Sequence, residues 1–330
     1  MKNACIVGYG NIGPVHALSL SLLDNANFYA VCDKSQDKIK KCREKYNVLS
    51  YLNYDDVLAD SNIDVVHICT PHYLHADMAI SAMEAGKDVI LEKPVGISKS
   101  ELDKLYEFAK TSEQKLCIMF QNRENTCVKM LKNIVENSTK DILGICGFLT
   151  WDRGEAYYKA DEWRGKWKTE GGALMINQAI HLVDMMCYIG GKVNGVKAHI
   201  STKCLNGIIE AEDTAEMLMY FDNGARGCMY ATNNFTATSP YRLEVVYSDV
   251  TYRYADNFLY KIACGKTPEI LCSDAQCTDG KPCWGDSHQV EIYKFYADKD
   301  YVKLSDVYNS SNVIYALYAS SASNGILVKV

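Results

Sequence analysis

The stretch from residue 171 to 184 reads Gly-Gly-Ala-Leu-Met-Ile-Asn-Gln-Ala-Ile-His-Leu-Val-Asp. It sets three polar side chains in a nearly continuous apolar run. Asn177, His181 and Asp184 stand at i, i+4 and i+7, the spacing that aligns side chains on one face of a helix. A helix this apolar is expected to be buried. A polar stripe on it must then meet either hydrogen-bond partners or a ligand, because burying it unpaired is costly. A satisfied core network is the competing reading. Glu92-Lys93-Pro94, which closes the strand-like run from Asp88 to Leu91, favours the ligand. A lysine at the carboxyl end of a parallel strand sits where such sheets bind ligands, and proline stiffens the turn after it. Thr70-Pro71-His72, with His75, ends the preceding strand in the same crevice.

The elements that must position these groups fall into two halves. In the first, short apolar strands alternate with helical segments. Strands are expected at Ala4 to Gly8, Phe28 to Cys32, Val65 to Cys69, Val89 to Leu91 and Leu116 to Phe120. Helices are expected over 13–24, 36–46, 76–85 and 99–112. This rhythm predicts a doubly wound parallel sheet, an α/β Rossmann domain over 1–121. Beyond it the strands lengthen and lose their intervening helices. Residues 142–151, 196–204, 215–220, 226–232, 242–247 and 250–254 predict a large open, mostly antiparallel sheet in an α+β domain over 122–330. Asp222-Asn223-Gly224 is the hairpin signal within it.

The net charge is −6 with no basic block, which argues against a nucleic-acid surface. No stretch approaches a membrane span, and the start of the sequence runs straight into a strand without a leader pattern. The fourteen cysteines are scattered, several inside apolar runs. This suits free thiols in a reducing cytoplasm. Cys272, Cys277 and Cys283, followed by His288, are the only cluster, and their spacing matches no zinc pattern. No metal is expected.

Gly8-Tyr9-Gly10-Asn11-Ile12-Gly13 is a full G-x-G-x-x-G that follows a strand and opens a helix. In that context Gly8 permits the tight turn, Gly10 lets the backbone approach a pyrophosphate, and Gly13 lets helix and strand pack closely. The helix N-terminus with its free N–H groups completes the anion site. Asp33 ends the second strand, 20 residues after Gly13, where a carboxylate holds the ribose hydroxyls. Its charge repels a 2′-phosphate, so NAD is expected over NADP, a preference that Lys34 would soften.

With these motifs placed, the chain resembles the glucose-fructose oxidoreductase / inositol dehydrogenase / MocA family. The matching segments are Gly8 to Gly13, Thr70-Pro71 with His75, Ala85-Gly86-Lys87 followed by Glu92-Lys93-Pro94, and Gly171 to Asp184. They occur in the family's order across nearly the whole chain. The resemblance implies NAD(P)-dependent oxidation or reduction of a secondary hydroxyl on a sugar, cyclitol or sugar derivative. It assigns the family's lysine to Lys93 and its proposed catalytic histidine to His181. Physically, His181 can take the hydroxyl proton near neutral pH, and Lys93 can stabilise the developing negative oxygen. Many members carry Asp where this chain has Asn177, which cannot ionise. They also often have Gly where Ala173 and Ala179 stand here.

Around this core, Glu92 and Asn122 join the expected cofactor contacts. Arg123 and Arg164 offer recognition of a carboxylate or phosphate, with structural ion pairing as the alternative for each. Trp163, Trp167, Tyr157 and Tyr158 offer an aromatic wall for a sugar ring, and packing beneath a loop is the alternative. Trp284 to His288 resembles a late family segment, with His288 in a supporting role. An open sheet with one uncovered face calls for a homodimer or homotetramer. Three functions remain open at this level. They are a sugar or cyclitol dehydrogenase, a glycoside hydrolase or lyase that uses NAD transiently, and a catalytically silent nucleotide sensor. Retention of both Lys93 and His181 argues against the last.

Overall fold

The computed structural model describes residues 1–275 and 286–330. The chain forms two compact units. One comprises Met1–Gln121 and Asp286–Val307, and the other Asn122–Gly285 and Tyr308–Val330.

The first unit is built on β1 (Lys2–Val7), β2 (Ala26–Cys32), β3 (Leu49–Tyr51), β4 (Val65–Ile68), β5 (Asp88–Glu92) and β6 (Leu116–Met119). They pair in the order β3-β2-β1-β4-β5-β6, all parallel. The order reverses beside β1, the switch point where doubly wound sheets bind their ligands. Helices α1 (Gly13–Ser21), α2 (Gln36–Tyr46), α3 (Tyr54–Ala59), α4 (His75–Glu84) and α5 (Lys99–Thr111) connect the strands. Sequence punctuation sets several ends. Ser35 caps α2 by accepting from Lys38 N–H, and Ser98 caps α5 by accepting from Glu101 N–H. Asn47, in the left-handed region, closes α2.

The two-domain reading of the sequence groups 286–307 with the second half, whereas this segment packs in the first unit. Ile292 and Phe295, together with Tyr301, close a core against Val65, Ile90, Cys117 and Met119. Glu291 is fully buried and accepts from Val302 N–H at 2.6 Å.

The second unit carries α6 (Thr126–Glu136), β7 (Gly144–Thr150), α7 (Glu155–Lys159), α8 (Ile180–Gly190), β8 (Val193–Ser201), β9 (Thr214–Phe221), β10 (Arg226–Thr232), β11 (Arg242–Val246), β12 (Val250–Ala255), β13 (Phe258–Ala263) and β14 (Glu269–Ser273). Helix α9 (Ser287–Tyr296) belongs to the first unit, α10 (Leu304–Ala322) runs through the boundary at 307/308, and β15 (Val328–Lys329) ends the fold. Among the described residues these strands form one nine-stranded sheet, β14-β13-β12-β11-β7-β10-β9-β8-β15. It is antiparallel except for β7 and β10, which run parallel. The expected hairpin joins β9 to β10, with Gly224 at φ +88°. Helix α6, not expected from the sequence, turns Cys127, Val128 and Leu131 inward. Along β7, Ile145, Gly147 and Leu149 are buried, and Cys146 and Phe148 alternate with them on the more accessible face. Among the described residues no helix is long and apolar enough to cross a membrane.

Candidate active site

Each glycine of the loop after β1 has its own reason. Gly8 has φ +91°, and a Cβ there would come within 2.5 Å of the Cys69 carbonyl oxygen. A Cβ on Gly13 would come equally close to the Gly8 carbonyl, so helix and loop can approach only without side chains. At Gly10 a Cβ would meet nothing within 4 Å. Space therefore lies open where the backbone would meet a pyrophosphate. Ile12 at the N-cap of α1 supplies no capping side chain. Pro14 has no N–H, and Val15 and His16 N–H turn back to the Ile12 carbonyl at 2.9 and 3.3 Å, so the N–H groups that could meet a ligand are those of the loop before Pro14. Asn11 is exposed and Ile12 half-buried. Asp33 accepts from Tyr9 N–H at 2.7 Å and from Ser35 N–H at 2.8 Å, one bond on each oxygen. The carboxylate is thus fixed beside the loop with lone pairs to spare, and the side chain of Lys34 is exposed. The residues fit a dinucleotide.

The ends of β4 and β5 are clamped together by His75. Its ring nitrogens lie 2.8 Å from the Thr70 carbonyl and 2.7 Å from the Pro94 carbonyl. Burial holds this imidazole below the ordinary histidine range, against the pull of the two carbonyls. Pro71 and the buried His72 lie in the chain between Thr70 and His75, at the start of the short turn His72–Leu74. Lys93 is half-buried, whereas Glu92 before it and Pro94 to Gly96 after it are buried. Glu92 ends a line of buried polar groups that the sequence reading does not find. Tyr296 Oη lies 2.9 Å from His67 Nε2, His67 Nδ1 lies 2.9 Å from His16 Nδ1, and His16 Nε2 lies 3.0 Å from Glu92 Oε1. His288 Nε2 approaches the same oxygen at 3.6 Å. Burial opposes ionisation of Glu92, but its contacts with His16 and His288 outweigh it and hold the carboxyl well below its usual range. Burial pushes His67 and His288 down. The signal for His16 is a histidine three residues after Gly13, the one ionisable side chain of α1.

In the second unit the polar stripe of 177, 181 and 184 is not a single helical face. Residues Leu174–Gln178 form a π-helical turn, and α8 starts only at Ile180. The wider turn breaks the i, i+4, i+7 relation, as single π turns at functional sites do. Asn177 instead meets Glu170, with Nδ2 donating to Oε1 at 2.6 Å, and Tyr157 Oη at 3.4 Å. His181 is buried on α8. Asp184 receives two parallel bonds from Arg123, each 2.7 Å, and a third of the same length from Ser310. Arg123 also lies over the Tyr188 ring at 4.6 Å. Arg123 and Asp184 therefore satisfy each other in the interior, the ion-pair alternative offered by the sequence.

Arg164 is shared more widely. It bonds Asp161 at 2.9 Å and Tyr157 Oη at 2.6 Å, and it lies 4.5 Å over both the Tyr157 and Trp163 rings. The expected aromatic wall thus divides. Tyr157 and Trp163 stack on Arg164. Trp167 is exposed and donates to the Glu210 carbonyl. Tyr158 is a core residue packed with Ala173, Leu205 and Ile209. Asn122 is buried, and neither atom of its amide finds a partner among the described residues. Such an orphaned amide fits a ligand contact.

Cys277, Cys283, Trp284 and Gly285 lie outside the described residues. Of their sequence neighbours, Cys272 approaches Cys127 at 3.4 Å, and His288 is taken up at Glu92. Among the described residues no three potential ligands gather around a metal position.

A parallel sheet with a glycine-rich phosphate loop, an acid at the end of β2 and a second unit based on an open sheet define an NAD-binding Rossmann oxidoreductase. The family model described as "Oxidoreductase family, NAD-binding Rossmann fold" matches residues 2–120, and that of the GFO/IDH/MocA C-terminal domain matches 130–253. The chain belongs to the GFO/IDH/MocA family. A myo-inositol 2-dehydrogenase of Thermotoga maritima is 30% identical over 247 residues, covering 73% of this chain and 71% of that protein. The WlbA dehydrogenase of Chromobacterium violaceum, solved with NADH and UDP-GlcNAcA, superposes with a TM-score of 0.87 at 25% identity, over 100% of this chain and 96% of that one. A levoglucosan dehydrogenase solved with NADH and levoglucosan shares the fold, with a TM-score of 0.87 at 21% identity over 100% and 99% of the two chains.

Proposed function

We propose that this protein is an NAD-dependent dehydrogenase acting on a secondary hydroxyl of a sugar, cyclitol or sugar derivative. The observation that carries this reading is the half-buried Lys93 on the clamped carboxyl end of β5, in the same unit as the fitted dinucleotide loop. The relatives that act on myo-inositol and levoglucosan supply the substrate class. Bound NAD would supply the hydride acceptor. Gly8, Gly10, Gly13 and the α1 N-terminus would hold its pyrophosphate, and Asp33 its ribose diol. Thr70 and Asn122 complete the proposed cofactor contacts, while buried His75, expected from the sequence as a contact, acts by holding the strand ends. His181 takes the hydroxyl proton as the carbon loses hydride, and Lys93 steadies the oxygen as negative charge develops. Arg123 and Asp184 act by positioning α8. The test is NADH formation with a panel of polyols and sugars. Net NADH with a ketone product supports the reading, and its absence across the panel, with redox-neutral cleavage of a glycoside, overturns it.

Asp33→Ala should weaken NAD binding roughly ten- to a hundredfold, the effect of losing charge-assisted hydrogen bonds, and tighten NADP binding, since the repulsion of its 2′-phosphate is removed. Titration of both cofactors by intrinsic fluorescence checks this. Stronger NADP than NAD binding by the unaltered protein would sink the assignment of Asp33.

The nine-stranded sheet is proposed to join copies of this chain. Neighbouring strands set exposed Leu218, Cys228 and Tyr230 beside half-buried Cys146 and Phe148. Such a patch is a usual site of association. A homodimer or homotetramer is the expected result of sedimentation at micromolar concentration. Replacing Leu218 and Tyr230 by Asp should release monomers.

A further inference from the structure

We infer that His16 is a positioning residue for Lys93: by mooring the Glu92 carboxylate it fixes the strand end that carries the lysine and ties it to the helix behind the glycine loop. The inference rests on the proposed role of Lys93 and specifies what holds that lysine in place.

Lys93 lies between two pinned neighbours. On one side, Glu92 turns its carboxylate into the interior. His16 Nε2 meets Oε1 there at 3.0 Å, and His288 Nε2 approaches the same oxygen at 3.6 Å. On the other side, the Pro94 carbonyl lies 2.7 Å from Nδ1 of His75. Glu92, His16 and His75 are all buried. The Lys93 side chain therefore starts from a backbone held both before and after it.

The two histidines come from the segments that follow β1 and β4, where the cofactor contacts are proposed. His16 stands in the first turn of α1, three residues after Gly13. His75 opens α4, directly after the turn His72–Leu74. The chain after β1, the chain after β4 and the end of β5 are thus tied into one frame by two side chains. A cofactor on the first two and a lysine on the third keep a fixed spacing. That spacing matters, because a displacement of about 1 Å can cost about 10²-fold in rate.

The buried line behind His16 keeps the mooring through a change of protonation. Burial opposes ionisation of Glu92, but His16 and His288 hold its carboxyl well below the usual range. A carboxylate accepts only, so Nε2 of His16 must carry a hydrogen. The Nδ1 atoms of His16 and His67 are 2.9 Å apart, so one hydrogen lies between them. Burial holds His67 well below the ordinary histidine range, so its ring carries a single proton. With His16 neutral, His67 donates from Nδ1, and Tyr296 O–H donates to His67 Nε2. With His16 charged, both steps reverse. His16 donates from Nδ1, and His67 donates from Nε2 to the Tyr296 oxygen. In either setting Nε2 of His16 still donates to Glu92.

Glutamine and asparagine separate the two ring nitrogens. In His16→Gln the amide nitrogen reaches as far as Nε2 and can donate to Glu92. In His16→Asn the amide stops near the place of Nδ1, where it meets His67 and leaves Glu92 short. The Lys93 side chain, followed by NMR in lysine-labelled protein and assigned with Lys93→Met, should keep its signal in His16→Gln and shift it in His16→Asn. With NAD and either myo-inositol or levoglucosan, kcat of His16→Asn should fall roughly ten- to a hundredfold with KM little changed. His16→Gln should keep most of the turnover. In the unaltered protein, nitrogen-15 spectra should show a hydrogen on His16 Nε2, a test that needs no variant to fold. A bare Nε2 overturns the inference. So does a Lys93 signal that responds to both substitutions alike, or to neither, whether or not a polyol is oxidised. Equal turnover by the two variants overturns it as well. A Lys93 signal that shifts only in His16→Asn, in a protein that oxidises no polyol, supports the mooring and counts against the proposed dehydrogenase.

Discussion

Lys93→Met should fold, bind NAD and turn over substrate about 10²–10³-fold more slowly. This is the loss seen when a group aimed at a developing oxyanion is removed. Methionine keeps the stem out to the ε position and removes the ammonium, with its charge and its three donors. The clamp that shapes this strand end, His75 between the carbonyls of Thr70 and Pro94, does not involve the Lys93 side chain. His181→Ala should cost about 10²–10⁴-fold, the usual range for a general base, and should flatten the pH–rate profile near neutrality. Single-turnover NADH formation with saturating cofactor separates these losses from weakened binding. Near-normal turnover by both folded variants would remove Lys93 and His181 from the reaction.

Asp184→Ala should destabilise the folded chain by about 3–5 kcal/mol, since it leaves the Arg123 guanidinium buried without its carboxylate. Arg123 and Asp184 are 8% and 2% exposed at their side chains, so solvent cannot take the missing partner's place. Replacing both by leucine should cost less than either single change, because no unpaired charge is then left inside. Urea unfolding midpoints of the two singles and the double distinguish the cases. Additive losses would mean that the two do not act as a pair. Asp184→Asn is the milder form, since its amide keeps an acceptor for one Arg123 bond and loses the charge.

Local order made the first unit legible. The glycine loop, Asp33 and most of the alternation of strands and helices depend on a few neighbouring residues and stand where the sequence places them; the short β3 and α3 between α2 and β4 are not read from it. What escaped depends on distant partners. The sequence 171–184 reads as one regular helix because periodicity cannot reveal a π turn. That turn separates Asn177, bound to Glu170, from Asp184, bound to Arg123. Glu170 looks like a surface acid after Lys166 and Lys168, yet it is fully buried. Tyr157 and Tyr158 are indistinguishable as a pair in the sequence, and only packing sends one into a core cluster and the other to Arg164. The line from Tyr296 to Glu92 joins residues more than two hundred positions apart, beyond any local pattern.

The return of 286–307 to the first unit bears on how the chain is made. A ribosome delivers residues in order, so the six parallel strands emerge long before α9. Until α9 arrives, His67 lacks Tyr296, Glu92 lacks His288, and the Val65, Ile90 and Met119 side chains lack the cover of Ile292 and Phe295. The nucleotide-binding half therefore reaches its final form only after eight of the nine strands of the open sheet, β7 to β14, have been synthesised. A stop codon just after 285 would spare every strand of the parallel sheet and the glycine loop, yet leave this half unfinished.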